Sequence, residues 1–496
     1  MQTDALSSQP HYHRSLSLLD GALLVIGSMI GSGIFIVSAD IASHVGSAGW
    51  LIVVWLISGF LTMAAALSYA ELSGMYPKAG GQYVYLREAY GKLWGFLYGW
   101  AFFAVIQTGT IAAVGVGFSK FLGYLVPELS EKYSLLHITE GHFIFNAGNR
   151  EFLKGFNFSS AQLVGVGVIL LLTFINTRGV KSGKWIQAIF TFAKIAAMAG
   201  LIIFGFAIFK DSSIWQGNWA DAWTAKEISK TLTGAIHHSS INGTILVMAI
   251  AVAMVGAIFS SDAWNNVTFI AGEIKRPERN VGLSLFIGTF VVTLLYVSMN
   301  LMYTHVLTIS EIARAPDERV ALAAALKIFG SNGTKIIAIL VMISTFGCNN
   351  GLILSGARVY NVMARDGMFL PAAKKLNAKG VPARALWMQC IWASILCLSG
   401  TYGSLLDYIV ITVLIFYILT IGGIFRLRRS RPDIPRPYKA FGYPVLPVLY
   451  IVIAAFICIV LLKEKFATTW PGILIIVLGI PVYKYFESRL SPDEQA

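Results

Sequence analysis

Between residues 18 and 486 the chain is a succession of apolar segments, each about as long as a bilayer is thick, with no long polar interval between them. A hydrocarbon core takes roughly 20 apolar residues per helix, with a range of about 17 to 25. On that ruler twelve spans fall at approximately 18-46, 50-74, 93-121, 160-178, 184-208, 241-272, 282-306, 333-358, 384-400, 404-426, 444-462 and 469-486. A backbone polar group left unpaired in hydrocarbon costs several kcal/mol, so segments of this length predict an all-α membrane protein. Composition excludes the soluble alternative: 56% of the residues are hydrophobic and 13% charged, far from the usage of soluble domains.

Two spans are expected to break. In the first, Val25-Ile-Gly-Ser-Met-Ile-Gly-Ser-Gly-Ile-Phe-Ile-Val37 places Gly27, Gly31, Gly33 and two serines at membrane depth. Non-helical backbone is tolerated there only where it lines a cavity or is buried in protein. Gly31-Ser32-Gly33 lets the backbone approach a ligand closely, and a half-helix starting near Ile34 would aim its amides and positive dipole end at an anion. The competing reading of these small residues is tight helix packing. In the sixth span, Phe259-Ser-Ser-Asp-Ala-Trp-Asn-Asn266 sets hydroxyls, a carboxylate and two amides in an otherwise apolar segment.

Breaks at spans one and six imply an offset of five, the pointer to a five-plus-five inverted repeat with the substrate near the midplane. The resulting division is a tail at 1-17, a first repeat at 18-208, an outer loop and second repeat at 209-428, spans eleven and twelve at 429-486, and a tail at 487-496. The repeat is read from hydropathy and break positions, since no sequence identity between the halves is visible.

The net charge of +13 resides mainly in short loops on the side of the N-terminus, which the positive-inside rule reads as topology rather than nucleic-acid binding. Both termini are therefore expected in the cytoplasm, with the protein in the cell membrane. The N-terminal tail carries no cleavage pattern of a signal peptide. Cys348, Cys390, Cys397 and Cys458 lie in apolar segments and imply no disulfide framework. His237 and His238 stand in a polar outer loop without partners at metal or catalytic spacing, so neither an enzyme nor a cofactor is expected.

Five ordered motifs resemble the amino acid-polyamine-organocation superfamily, and within it the L-type amino acid transporter group. They are Gly27-Ser-Met-Ile-Gly-Ser-Gly-Ile-Phe35; Tyr69-Ala-Glu-Leu-Ser-Gly-Met-Tyr-Pro-Lys-Ala-Gly-Gly-Gln-Tyr-Val-Tyr-Leu86; Asp262-Ala-Trp-Asn-Asn266 with Glu273-Ile-Lys-Arg-Pro-Glu-Arg-Asn280; Leu354-Ser-Gly-Ala-Arg-Val-Tyr360 with Met363-Ala-Arg-Asp-Gly367; and Arg436-Pro-Tyr438 with Gly442-Tyr-Pro-Val-Leu-Pro447. The resemblance implies alternating access and a substrate with free α-carboxylate and α-amino groups. Physical argument supplies a place for each. The carboxylate would sit at Gly31, Ser32 and Gly33; the ammonium would take carbonyls around Met29, Phe259 and Ser260, where half-helices end. Phe259 matches the family's gating aromatic, against ordinary packing as the alternative.

Lys194 lies deep in the fifth span, and an ammonium at a helix centre costs at least ~2.5 kcal/mol, so it is a functional candidate by default. It matches the family's lysine that occupies a sodium ion's place in sodium-coupled relatives, which implies sodium-independent transport; a merely structural tether is the alternative. Asp262 would either attract the substrate ammonium or, like Ser261, cap a half-helix running from about Ala263 to Glu273. The charges from Glu273 to Arg279, the cluster Arg426, Arg428, Arg429 and Arg431, and Glu71 are candidates for a cytoplasmic gate or for solvated and structural roles.

The chain departs from the family in two places. The loop 122-159 lacks the cysteine that links mammalian members to a heavy subunit, so no disulfide-linked partner is expected; Gln107-Thr108 replaces an Arg-Pro pair of several relatives. No acidic cluster marks the site, which favours neutral amino acids. The family resemblance points to an exchanger, though no residue separates exchange from proton symport; a proton-coupled symporter and a polyamine or cationic amino acid antiporter are the alternatives.

Overall fold

The computed structural model describes residues 14–130, 134–137, 157–230, 236–399 and 402–489; most of each expected tail, 1–13 and 490–496, lies outside them. Among the described residues eleven helices are long and apolar enough to cross a membrane, and the shorter apolar helix Ala383–Leu398 supplies a twelfth. They fall on the twelve segments marked by hydropathy, so the all-α membrane reading holds. Two features were not visible in the hydropathy. The polar intervals carry two small antiparallel ribbons, Ser134–His137 with Asn157–Ser159 and Lys226–Lys230 with Ile236–Ser240. The eighth span is the second part of a helix, Val320–Arg365, that bends at Gly330 (φ 70°).

Packing follows the offset of five. Span two (Ala48–Met75) lies along span seven (Pro277–Val306), span three (Lys92–Leu125) along span eight, and span four (Ser160–Thr177) along span nine (Ala383–Ser399). Span one touches five (Val180–Ile208) and seven, and span six touches ten (Tyr402–Ser430) and two. When five is added or subtracted, the contact of one with five maps onto that of six with ten and the contact of one with seven onto that of six with two, while the other three map onto themselves. Because five is odd, the second set crosses in the opposite sense. Spans eleven (Val445–Glu464) and twelve (Phe466–Glu487) pack outside, against six, ten and the start of three.

Local chemistry explains the ends that matter for the site. Ser17 opens span one through a capping box with Asp20, which satisfies two amide donors at once. Gly46 closes it with φ 54°, where a Cβ would also overlap the Lys226 carbonyl of the second ribbon. On the face where the chain enters, Leu16 pairs with the end of span six: its amide donates to the Glu273 carbonyl (3.0 Å) and its carbonyl accepts from the Lys275 amide (2.8 Å). Entry to span one and exit from span six are thus tied. We call this the N-terminal face.

Candidate functional site

Both expected breaks are present and they meet. Span one is helical over Leu18–Met29, leaves the helix at Ile30 (φ −76°, ψ 90°) and resumes at Gly33–Ile36. Span six is helical over Gly243–Ser260 and is interrupted through Ala263, whose φ of 64° no helix accommodates. A Cβ on Gly33 would overlap Ser260 Oγ and stand 3.1 Å from Ser260 Cα. Glycine at 33 is therefore what allows the two backbones to touch. Gly31, Ser32, Gly33, Met29, Phe259 and Ser260 are all buried around this crossing.

A helix ends with four carbonyls that have no partner within it. In the first half of span one these are Gly27, Ser28, Met29 and Ile30, and each has found one. Lys194 Nζ donates to the carbonyls of Gly27 (2.8 Å) and Ile30 (2.7 Å). Cys348 Sγ donates to Ser28 (2.9 Å), and Ser344 Oγ adds a second bond to Ile30 (3.2 Å), both from span eight. Tyr296 of span seven places its hydroxyl 3.0 Å from the Met29 carbonyl and 3.0 Å from that of Ser260.

These bonds explain how a lysine survives at this depth. Its burial costs at least ~2.5 kcal/mol, while a hydrogen bond to a charged group returns about 1.5–3 kcal/mol, and Lys194 makes two. The carbonyl end of a helix also carries a partial negative charge that favours a cation. Gly347 of span eight lies against the lysine stem, since a Cβ there would stand 3.6 Å from Lys194 Cε. Lys194 thus reaches span one and packs on span eight.

The second half of span six differs from expectation. It is a single turn, Asn266–Phe269, followed by a 3-10 turn at Ala271–Glu273, and the residue at its N-cap is Asn265, without a side-chain cap. The left-handed Ala263 delays the helix by three residues, so neither Asp262 nor Ser261 caps it. Asp262 instead accepts from the Tyr417 hydroxyl of span ten (2.5 Å), and the Ser261 hydroxyl accepts from Ser58 of span two (3.2 Å).

Beside this break lies a narrow cavity of about 10 Å³, whose walls include Phe102, Gln107, Asp262, Asn265, Leu352 and Tyr417. Gly31, Ser32 and Gly33 are not in its lining; the crossing itself is closed. Span three reaches the cavity through a π-helical turn, Phe102–Ile106. Such turns free a carbonyl from its regular ladder, and here Thr108 Oγ takes that of Phe103 (2.6 Å) while Trp392 takes that of Ala104 (2.8 Å).

Between the site and the N-terminal face stand an aromatic layer and buried ion pairs. Tyr69, Trp264 and Tyr417 pack with ring centroids 4.7 to 5.9 Å apart. Below them, Arg358 Nε meets Glu273 (3.0 Å), with the guanidinium 0% and the carboxylate 4% exposed. Glu71, fully buried, takes two bonds from Arg428 (2.9 and 2.6 Å) and one from the amide of Ala440 (2.7 Å), with Arg436 at 3.5 Å. Of the four clustered arginines only Arg428 reaches Glu71. Glu273 pairs with Arg358, a residue inside a family motif to which the sequence reading gave no role.

Tyr296, Ser344, Cys348 and Arg358 are thus the residues that sequence reasoning missed. Arg358 carried a signal, a charge at the end of an apolar span. A hydroxyl or thiol in such a span carries none, because each also occurs in ordinary helix packing.

Comparison with known proteins agrees with this architecture. A family model described as amino acid permease matches residues 16–482. The serine/threonine exchanger SteT of Bacillus subtilis is 29% identical over 480 residues, covering 96% of this chain and 97% of that protein. The human b(0,+)-type amino acid transporter 1 is 28% identical, with 95% and 88% covered. The human large neutral amino acids transporter small subunit 2 is also 28% identical, with 95% and 80% covered. Matched over nearly its whole length and built around two touching helix breaks, the chain belongs to the amino acid permease family, a family of membrane transporters rather than enzymes.

Proposed function

We propose that the chain exchanges neutral amino acids by alternating access, without sodium, at the two touching breaks. The observation that carries this reading is the meeting of opposite helix ends. The half-helix from Gly33 presents first-turn amides to the crossing, suited to a carboxylate at Gly31, Ser32 and Gly33. The carbonyl ends at Met29 and Ser260 converge on one hydroxyl. That hydroxyl holds a single proton, so the carbonyl pair keeps capacity for a further donor, and the substrate ammonium supplies it. Phe259, one residue before Ser260 and buried, is positioned to cover the bound amino acid.

Lys194 takes the part of a fixed cation. Its ammonium already occupies the carbonyls of Gly27 and Ile30, leaving a metal ion nothing to gain there. The name of the Bacillus relative supports exchange. The charge distribution supports cytoplasmic termini in a cell membrane, and the packing offset supports repeats at 18-208 and 209-428. The absence of cysteine from 122-159 argues against a disulfide-linked partner.

A second reading, cationic substrates, is favoured by Asp262, whose carboxylate forms part of the cavity wall. Uptake of labelled serine, leucine, phenylalanine and lysine into proteoliposomes, with and without internal amino acid, tests both. Neutral uptake that requires internal amino acid supports the proposal. Uptake of lysine alone would move the assignment to the second reading, and uptake into empty liposomes driven by a pH gradient would replace exchange by proton symport.

A further inference from the structure

A groove of about 970 Å³ runs along spans two and seven, away from the crossing. Its floor is a stripe of span two, Phe60, Met63, Leu67 and Ala70, and its far wall is Leu283 and Phe286 of span seven with Phe441 of the loop before span eleven. Phe286 is 44% and Phe441 69% exposed, so the trough opens sideways, towards lipid. From Phe60 to Ala70 it extends about 15 Å at the helical rise of 1.5 Å per residue. That is one leaflet, half of a hydrocarbon core of roughly 30 Å.

The mouth is charged. Spans two and seven run in opposite directions, so Ala70 and the beginning of span seven share the N-terminal face, where Arg279, Lys439 and Glu278 rim the groove. Arg279 and Lys439 form no ion pair among the described residues. An apolar trough one leaflet deep, ending in two unpaired bases, is complementary to a lipid with a negative head group; a partner's membrane helix would need twice the length.

We propose that this groove binds one anionic glycerophospholipid of the leaflet at the N-terminal face, with its phosphate at Arg279 and Lys439 and an acyl chain on the Phe60 to Ala70 stripe. Glu278 leaves the mouth a net charge of +1, which favours a head group of net charge −1 over a zwitterion. The site has a regulatory consequence. Lys439 precedes Ala440, whose amide is bonded to Glu71, and Pro437, which also lines the groove, follows Arg436. A lipid held by Lys439 and Arg279 pins the loop that seals this face to span seven, and so favours the closed arrangement.

Native mass spectrometry of the full chain, exchanged against equimolar phosphatidylglycerol and phosphatidylethanolamine, tests the site. A basic residue near an anionic surface contributes on the order of five-fold in binding, so one phosphatidylglycerol is expected to be retained in at least about ten-fold preference. The Arg279→Gln, Lys439→Gln double variant should bring the two lipids to near parity, and Leu67→Trp, which fills the trough, should reduce retention of both. A photoactivatable phosphatidylglycerol on the unaltered protein should label peptides around 60–70 and 278–286. Equal retention by the unaltered protein, an undiminished preference in the double variant, or labelling elsewhere would each overturn the proposal, and the labelling decides it even where a variant fails to fold.

Discussion

At the scale of residues, the site rests on four side chains that finish a helix end, Lys194, Ser344, Cys348 and Tyr296. Lys194 is the most exacting, because among the described residues the Gly27 carbonyl has no other side-chain donor and the Ile30 carbonyl has only the Ser344 hydroxyl besides. Lys194→Ala leaves the Gly27 carbonyl buried with its partner removed, at about 1–3 kcal/mol, and the Ile30 carbonyl with the Ser344 hydroxyl alone. We expect it to abolish exchange and lower the melting temperature, measured on the same preparation; exchange at the unaltered rate would reduce the lysine to a packing residue. Tyr296→Phe is subtler. The ring keeps its edge contact with Trp55, at 5.3 Å between centroids, and loses only the hydroxyl between Met29 and Ser260. Substrate affinity should fall about ten-fold or more, read as a raised KM for external amino acid, while the protein still purifies as a monodisperse species. An unchanged KM would show that the carbonyl pair does not meet the substrate. These two residues also show what is legible in a sequence. A lone ammonium within an apolar span announces itself by its cost, whereas a tyrosine in span seven is indistinguishable from the other buried aromatics until the fold brings two carbonyls to its hydroxyl.

At the scale of elements, the crossing of spans one and six depends on Gly33. In Gly33→Ala the new methyl meets Ser260 side chain and backbone together, so the half-helices must separate. Exchange should fall at least ten-fold with the fold retained, and pairing the change with Ser260→Gly should restore part of it by removing the side-chain overlap. Full activity of the single variant would mean the breaks part during the cycle without consequence. Glycines and serines at membrane depth made the first break readable from sequence alone. The sixth was readable in place but not in length, because nothing in an alanine reveals that Ala263 adopts φ 64°. Asp262 therefore looked like a cap and is instead a cavity wall held by Tyr417.

At the scale of the molecule, buried ion pairs that the linear sequence scattered widely stand between the site and the N-terminal face. Glu71 and Arg428 lie on spans two and ten, Glu273 and Arg358 on six and eight. Their charges were visible as residues, but pairing is a property of the bundle, and no spacing rule connects positions so far apart. In the alternating access proposed above, opening towards this face would part both pairs. Glu71→Gln should weaken the seal, and Cys348, whose thiol lies beside the site against the Ser28 carbonyl, reports it. In a chain with Cys390, Cys397 and Cys458 replaced by alanine, the variant should label at Cys348 several-fold faster with a small thiol reagent; an unaltered rate would place the gate elsewhere.

The central claim is that two helix ends hold an amino acid while Lys194 stands where a metal cation would otherwise be needed. The most direct test is the rate of labelled serine exchange in proteoliposomes measured in sodium and in sodium-free choline buffer. Equal rates in the two buffers, lost in Lys194→Ala, are the predicted result. Exchange that occurs only in sodium would contradict the account, because a second cation would then be bound despite the ammonium at Gly27 and Ile30.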